Sequence, residues 1–174
     1  EVERDILALK ARFPVALVIP MIPSEMDRPA LQRILDELCQ VTYLDLLVIS
    51  LNKATADDLA RTKVYFDRYP GRKVILWSES SAVQSLFERM EPAGLHMGGP
   101  GKGRACWLAL GYLLAREQVD YIAFFDADVV NFSREMLARL VLPAMDPILD
   151  YDFVKAYYAR FSDRLYGLSL IHIS

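Results

Sequence analysis

The chain has 174 residues, enough for one α/β domain with a substantial core but not for two. Its net charge is −3 without a basic block, and no apolar run is long enough to cross a bilayer, so we expect no nucleic-acid partner and no membrane. Cys39 and Cys106 lie far apart without a Cys-x-x-Cys motif, which predicts core thiols in a cytoplasmic protein.

The first half of the chain alternates apolar strand-like runs with helix-like stretches. A short helix is predicted over residues 5–12. Strands are predicted over 15–19, 44–50 and 73–77. The first of them is expected to be buried and to end at Pro20. Helices are predicted from Pro29, from the N-cap Thr55 to about Tyr69, and over a stretch whose inward face is Val83, Leu86, Phe87 and Met90.

The second half begins with the least regular stretch, the glycine-rich residues 91–103, which opens into a helix with Ala105 and Leu108 on one side. A strand follows over residues 121–125. Ser133 is predicted to cap a helix through Val141, after which two prolines break the pattern. One more strand is predicted over residues 153–158.

Repeated strand–helix units of this kind predict an α/β fold of three layers, with a mostly parallel, Rossmann-like sheet between helices. Such sheets bind ligands beyond the carboxyl ends of their strands. Asp126, Asp128, Ser50 and the loop 20–27 are all predicted to lie at that edge, which favours a nucleotide site.

Two carboxylates end the apolar run 121–125. Asp126 and Asp128 are separated by one residue, so both side chains point the same way if the strand persists through Asp128. Like charges about 6 Å apart at an effective dielectric of about 20 repel by roughly 3 kcal/mol. A hard divalent ion such as Mg²⁺ or Mn²⁺, shared with a phosphate, would relieve that repulsion. The alternative is that the two aspartates only form a turn or cap a helix.

The glycine-rich loop carries a lysine immediately before a predicted helix. In residues 98–104, GGPGKGR, glycines such as Gly101 allow close backbone approach, and the helix start favours an anion beside Lys102. The loop is not a Walker A motif, because neither serine nor threonine follows Lys102 and the loop follows a helix. The alternative is a flexible connector with a solvated lysine.

Three segments, PGKGRACWLAL, FFDAD and DFVKAYYAR, resemble the nucleotide-sugar glycosyltransferases of the GT-A fold, closest to the glucosyl-3-phosphoglycerate synthase group. The resemblance covers roughly residues 15–167. It implies a hexosyltransferase that moves a sugar from a UDP-sugar, with UDP-glucose as the expected donor, to 3-phosphoglycerate or a related small phosphorylated acceptor. It also implies that the configuration at the anomeric carbon is retained and that the enzyme uses Mg²⁺ or Mn²⁺. It also allows a homodimer of the full-length protein.

The same resemblance implies roles for individual residues. It places Asp126 against the ribose or sugar of the donor and near the metal, and Asp128 as a metal ligand. Lys102, with Gly101, corresponds to the nucleotide-contacting loop. Uridine contacts are implied at Pro20, Glu25 and Ser50, although the loop after the first strand matches less closely.

The chain departs from the family after Gly167. Residues 168–174 resemble translated vector sequence and are excluded as a non-native tail. Residues 1–167 are therefore expected to form a GT-A nucleotide-sugar-binding domain that lacks the acceptor half and the catalytic residues, and to bind nucleotide without useful turnover.

Two other functions remain open from the residues alone. A phosphatase of the haloacid dehalogenase type also ends an apolar strand in Asp-x-Asp and uses the first aspartate as a nucleophile. That motif normally begins its domain, however, whereas three strand–helix units precede it here. The other alternative is a non-catalytic nucleotide-binding module.

Overall fold

The computed structural model describes residues 2–10, 13–149 and 151–156, and the backbone of 160–161 and 165–166. The helices are α1 (Val2–Lys10), α2 (Pro29–Leu38), α3 (Ala56–Phe66), α4 (Ser81–Met90), α5 (Lys102–Arg116) and α6 (Arg134–Met145), with 3-10 turns at Pro23–Asp27 and Glu91–Ala93. The strands are β1 (Val15–Met21), β2 (Leu46–Leu51), β3 (Lys73–Trp77), β4 (Tyr121–Phe124), β5 (Arg160–Phe161) and β6 (Leu165–Tyr166).

The central sheet is parallel throughout, with strand order β3-β2-β1-β4. In the register, Val18 of β1 lies opposite Val48 on one side and Phe124 on the other. Every residue of β1 and β2 is buried, which matches their unbroken apolar sequence. The two short strands β5 and β6 form a separate antiparallel pair.

Helices cover both faces of this sheet, which confirms the predicted three-layer α/β fold. On one face, Leu17 and Ile19 pack in the larger core with residues of α1, α2 and α6 such as Ile6, Ile34 and Leu137. On the other face, a smaller core contains Ala16, Val18, Val48, Ala109 and Leu113. Successive β1 residues thus serve opposite cores, as the period of two requires.

The predicted helix caps are confirmed. The Thr55 hydroxyl accepts a hydrogen bond from the Asp58 N–H at 3.2 Å, and the Ser133 hydroxyl accepts one from the Met136 N–H at 3.3 Å. Each cap satisfies a backbone donor that has no partner within the helix.

Pro20 does not end the first strand. β1 continues to Met21. Proline has no N–H to donate, but β4 stops opposite Val18, so no neighbouring strand needs a hydrogen bond from position 20 on that side. The strand meanwhile stays paired on its other side, where Pro20 and Met21 lie opposite residues of β2.

Several other boundaries also differ from prediction. α6 runs through Pro143 and ends at Met145. Met145 is buried in the larger core, and this burial offsets the loss of the hydrogen bond that Pro143 cannot donate. α3 ends at Phe66, before Tyr69. The strand predicted over 153–158 is absent from residues 153–156, and 157–158 lie outside the described residues, as does the predicted tail 168–174.

Across the described ranges, no helix combines the length and apolar character needed to span a membrane.

Candidate functional site at the carboxyl edge of the sheet

Two adjoining cavities open at the carboxyl edge of the sheet, and together we call them the edge groove. The first, of about 160 Å³, is lined by Pro20, Met21, Ile22, Glu25, Asn52, Lys53, Gly101, Lys102 and Ala105. The second, of about 120 Å³, is lined by Pro20, Glu25, Lys102, Asp126, Ala127 and Asp128. Because Pro20, Glu25 and Lys102 line both, the cavities form one continuous groove.

Asp126 and Asp128 both face the second cavity, as predicted, but not through strand alternation. β4 ends at Phe124, and the next residues form a turn. The Phe125 N–H still donates to the Val18 carbonyl at 3.1 Å, and Ala127 is buried in the larger core. The buried Ala127 therefore anchors the turn, and the aspartates on either side of it reach the groove.

Lys102 faces the same cavity. It is the first residue of α5, after Gly101 as N-cap, and its ammonium group forms an ion pair with the Asp126 carboxylate. The side chains of Lys102 and Asp126 are 59% and 34% exposed, so this pair is open to solvent and can rearrange around an anion. The start of a helix and an ammonium group thus lie opposite the two aspartates.

Glu25 joins the two cavities from the 3-10 turn after β1. Its Oε2 accepts a hydrogen bond from the Ile22 N–H at 2.8 Å. Burial raises the pKa of the Glu25 carboxyl, and the negative charges of Asp128 and Asp126 raise it further, while the Ile22 hydrogen bond and Arg28 lower it. Three carboxylates therefore influence this end of the groove, which favours a bound cation.

Ser50 is placed differently from the other predicted site residues. Its side chain is fully buried, and its hydroxyl donates to the Ala105 carbonyl at 2.9 Å. It lines neither of the two described cavities. The structure therefore places Ser50 beneath the groove, where it joins the end of β2 to the first turn of α5.

Asn52 and Lys53 line the groove but were not predicted as site residues. Asn52 follows β2 directly and is buried, and its backbone N–H donates to the Met21 carbonyl at 3.0 Å. Lys53 has a positive φ of 54°, which is uncommon for a residue other than glycine. Their position just beyond the carboxyl end of a central strand could have identified them as site residues from the sequence.

The aspartate pair fits a hard divalent cation that also binds a ligand. Among the residues that the structure describes, no group of three or more histidine, cysteine, aspartate or glutamate side chains is arranged to hold a metal by itself. Asp126 and Asp128 supply carboxylate oxygens, which Mg²⁺ and Mn²⁺ prefer, and Mg²⁺ commonly takes only one or two protein carboxylates beside phosphate oxygens and waters.

Solved structures share this fold. Glucosyl-3-phosphoglycerate synthase from Mycobacterium tuberculosis, in complex with Mn²⁺, UDP-glucose and phosphoglyceric acid, matches with a TM-score of 0.56 at 22% identity, over 82% of this chain and 43% of that protein. A complex of the same synthase with Mn²⁺, UDP and glucosyl-3-phosphoglycerate also gives 0.56, at 21% identity. The fold is thus that of the GT-A glycosyltransferases.

Sequence comparison identifies the family. The chain belongs to the family described as mannosylglycerate synthase, GT domain, whose model matches residues 52–167, more than half of the chain. Two curated relatives are glucosyl-3-phosphoglycerate synthases. The one from Persephonella marina is 36% identical over 167 residues, and the one from Methanococcoides burtonii is 30% identical over 158 residues.

The matches cover most of this chain but less than half of each relative. They span 96% and 90% of the chain, against 41% and 39% of the Persephonella and Methanococcoides proteins. The predicted GT-A family is confirmed, and the shared region includes both the lysine loop and the aspartate pair.

Proposed function

We propose that this chain forms the donor-binding part of a retaining, metal-dependent hexosyltransferase. The enzyme would transfer a sugar from a UDP-sugar to a small phosphorylated acceptor such as 3-phosphoglycerate. One observation carries the proposal: Asp126, Asp128 and Lys102 meet in one cavity that continues into a second cavity large enough for further ligand groups.

The edge groove suggests how the donor lies. The diphosphate occupies the second cavity, where Lys102 and the α5 N-terminus supply positive charge. The nucleoside lies along the first cavity, between Pro20 on β1 and Asn52 beyond β2, with Glu25 and Gly101 on its sides.

Asp128, together with Asp126, would hold the metal. When bound, Mg²⁺ or Mn²⁺ supplies positive charge to a departing diphosphate. Lys102 donates hydrogen bonds to the same diphosphate, and this requires it to exchange its carboxylate partner for phosphate oxygens. This part of the chain therefore contributes binding, orientation and charge stabilisation.

Glucose is the sugar that we propose. The family description names a mannosyl product, whereas both curated relatives and the structural neighbours are glucosyl-3-phosphoglycerate synthases. The two relatives match nearly the whole chain, including the groove residues before position 52 that the family match omits.

The phosphatase alternative is not favoured by these findings. The aspartate pair follows the fourth strand along the chain, and Asp126 is ion-paired with a lysine from the preceding helix. The family match covers this segment as part of a glycosyltransferase domain.

We also propose a cytoplasmic location and self-association of the longer protein. Two free thiols, Cys39 and Cys106, support the first. Exposed apolar side chains after β4 and α6, such as Val130, Ile148 and Phe153, support the second.

Calorimetric titration of UDP-glucose, with and without Mn²⁺, tests the proposed function. The wild-type chain should bind UDP-glucose much more tightly with Mn²⁺, and Asp128→Ala should remove that gain. Asp120→Ala is the matched control, because it removes an exposed carboxylate at the opposite end of β4 and should retain the gain.

Two results would contradict the proposal. Binding that ignores Mn²⁺ would indicate a nucleotide-binding module without a transferase metal site. A lack of UDP affinity, combined with Asp126-dependent phosphoester hydrolysis, would indicate the phosphatase instead.

A further inference from the structure

The loop between β2 and α3, residues 52–55, has an unfavourable backbone conformation at the edge groove. Lys53 has a φ of 54°, in the left-handed region that side chains other than glycine rarely adopt. Such conformations persist only where surrounding contacts hold them, and they cluster at binding sites. The contacts that hold Lys53 are therefore candidates for a functional role.

The Glu79 carboxylate holds this loop from the end of β3. Its Oε1 accepts a hydrogen bond from the Lys53 N–H at 2.8 Å, and its Oε2 accepts one from the Ala54 N–H at 3.3 Å. The Asn52 side-chain oxygen also accepts from the Lys53 N–H, at 3.0 Å. One carboxylate thus bridges two consecutive backbone donors in a turn.

Trp77, the last residue of β3, holds the same loop from its other side. The Trp77 indole N–H donates to the Ala54 carbonyl at 2.9 Å. The amides at 53 and 54 and the carbonyl at 54 are therefore all bound by residues from the end of β3. The Glu79 bonds are charge-assisted, which makes them the stronger contribution.

Asn52 and Lys53 form part of the groove wall, whereas Glu79 lines neither of the two described cavities. Its hydrogen bonds to the Lys53 and Ala54 amides connect Glu79 to this wall through the loop. The groove wall it supports lies in the first cavity, away from the cavity of Asp126 and Asp128. With the diphosphate beside those aspartates, this wall faces the nucleoside.

We propose that Glu79 is a positioning residue of the donor site: it holds the loop at residues 53–54, with Lys53 in the left-handed conformation, so that Asn52 and Lys53 lie against the nucleoside. This inference rests on the proposed function. It predicts that loss of the carboxylate affects recognition of the nucleoside and leaves recognition of the diphosphate intact.

The test compares two ligands in the presence of Mn²⁺: UDP, which carries the nucleoside, and inorganic pyrophosphate, which does not. Glu79→Ala should weaken UDP binding about tenfold and change pyrophosphate binding less than about twofold. Glu79→Gln keeps one acceptor and should give an intermediate UDP affinity. Glu88→Ala, which removes an exposed carboxylate from α4, should bind both ligands like the wild type.

Hydrogen exchange of the Lys53 and Ala54 amides provides a readout without ligand. Both amides should exchange faster in Glu79→Ala than in the wild type, while amides within β2 should keep their protection. This separates opening of the loop from general destabilisation of the domain.

Two results would overturn the inference: unchanged UDP affinity in Glu79→Ala, or an equal loss of UDP and pyrophosphate affinity. In both cases the wild type still binds UDP with Mn²⁺, so the proposed function stands. A wild-type chain that binds neither ligand would overturn both proposals together.

Discussion

Lys102 and Asp126 form an ion pair across the edge groove, although 24 residues separate them in the chain. Lys102 begins α5, and Asp126 lies two residues beyond the end of β4. The pair therefore brings together the glycine-rich loop and the aspartate pair, which lie in two of the three segments that carry the family resemblance. It also places a positive charge beside the carboxylates.

Replacing the lysine should weaken donor binding. Lys102→Met removes the ammonium group that we assign to the diphosphate, and a hydrogen bond to a charged group contributes about 1.5–3 kcal/mol. UDP affinity in the presence of Mn²⁺ should therefore fall about tenfold or more. Calorimetry measures the change.

Lys63→Met is the control for this variant, because Lys63 is an exposed lysine of α3. It should bind UDP like the wild type. If Lys102→Met also kept wild-type affinity, the lysine would be only a solvated side chain at the start of α5 and our placement of the diphosphate would be wrong.

The raised pKa of Glu25 should make stability depend on pH. Burial is the main cause, and the ordinary value is 4.5. At pH values between 4.5 and the higher pKa of Glu25 in the folded state, the folded state binds more protons than the unfolded chain. The free energy of unfolding therefore falls as pH rises through this range. This loss is absent below 4.5 and complete above the folded pKa.

Glu25→Gln should remove that dependence, because an amide does not titrate and its oxygen can still accept from the Ile22 N–H. Denaturant unfolding from about pH 4 to about pH 7 should show the variant gaining stability relative to the wild type. Glu88→Gln, at an exposed position, should follow the wild type. A constant difference between Glu25→Gln and the wild type over this range would show that Glu25 titrates normally.

Ser50 should support stability and contribute little to nucleotide affinity. Its buried hydroxyl donates to the Ala105 carbonyl, so Ser50→Ala should cost about 1 kcal/mol of unfolding free energy. UDP affinity should change less than about twofold. Ser85→Ala, at an exposed position of α4, should change neither quantity.

An opposite result for Ser50→Ala, with unchanged stability and a UDP affinity as low as that of Lys102→Met, would show that the hydroxyl binds nucleotide directly. The family resemblance implied such a contact, whereas the buried hydrogen bond supports a positioning role beneath the groove.

Local patterns in the sequence were sufficient to predict the architecture of the fold. Apolar runs predicted the four strands of the central sheet, Thr55 and Ser133 marked helix starts, and the strand–helix alternation predicted a parallel sheet. The same alternation put Asp126, Asp128 and the loop 20–27 near one edge, while the family resemblance assigned Lys102 to the nucleotide. These signals are local, because hydrophobic period and capping depend on residues only a few positions apart.

Other features depended on contacts between distant segments. Pro20 could remain in β1 because β4 is shorter than β1, and Ser50 turned away from the groove because Ala105 offered an acceptor. The conformation of Lys53 depends on Glu79, 26 residues later in the chain. The sequence alone thus determined the layers and the binding edge, while tertiary structure decided which edge residues face the groove. Side-chain direction at the end of a strand depends on partners that only folding brings together.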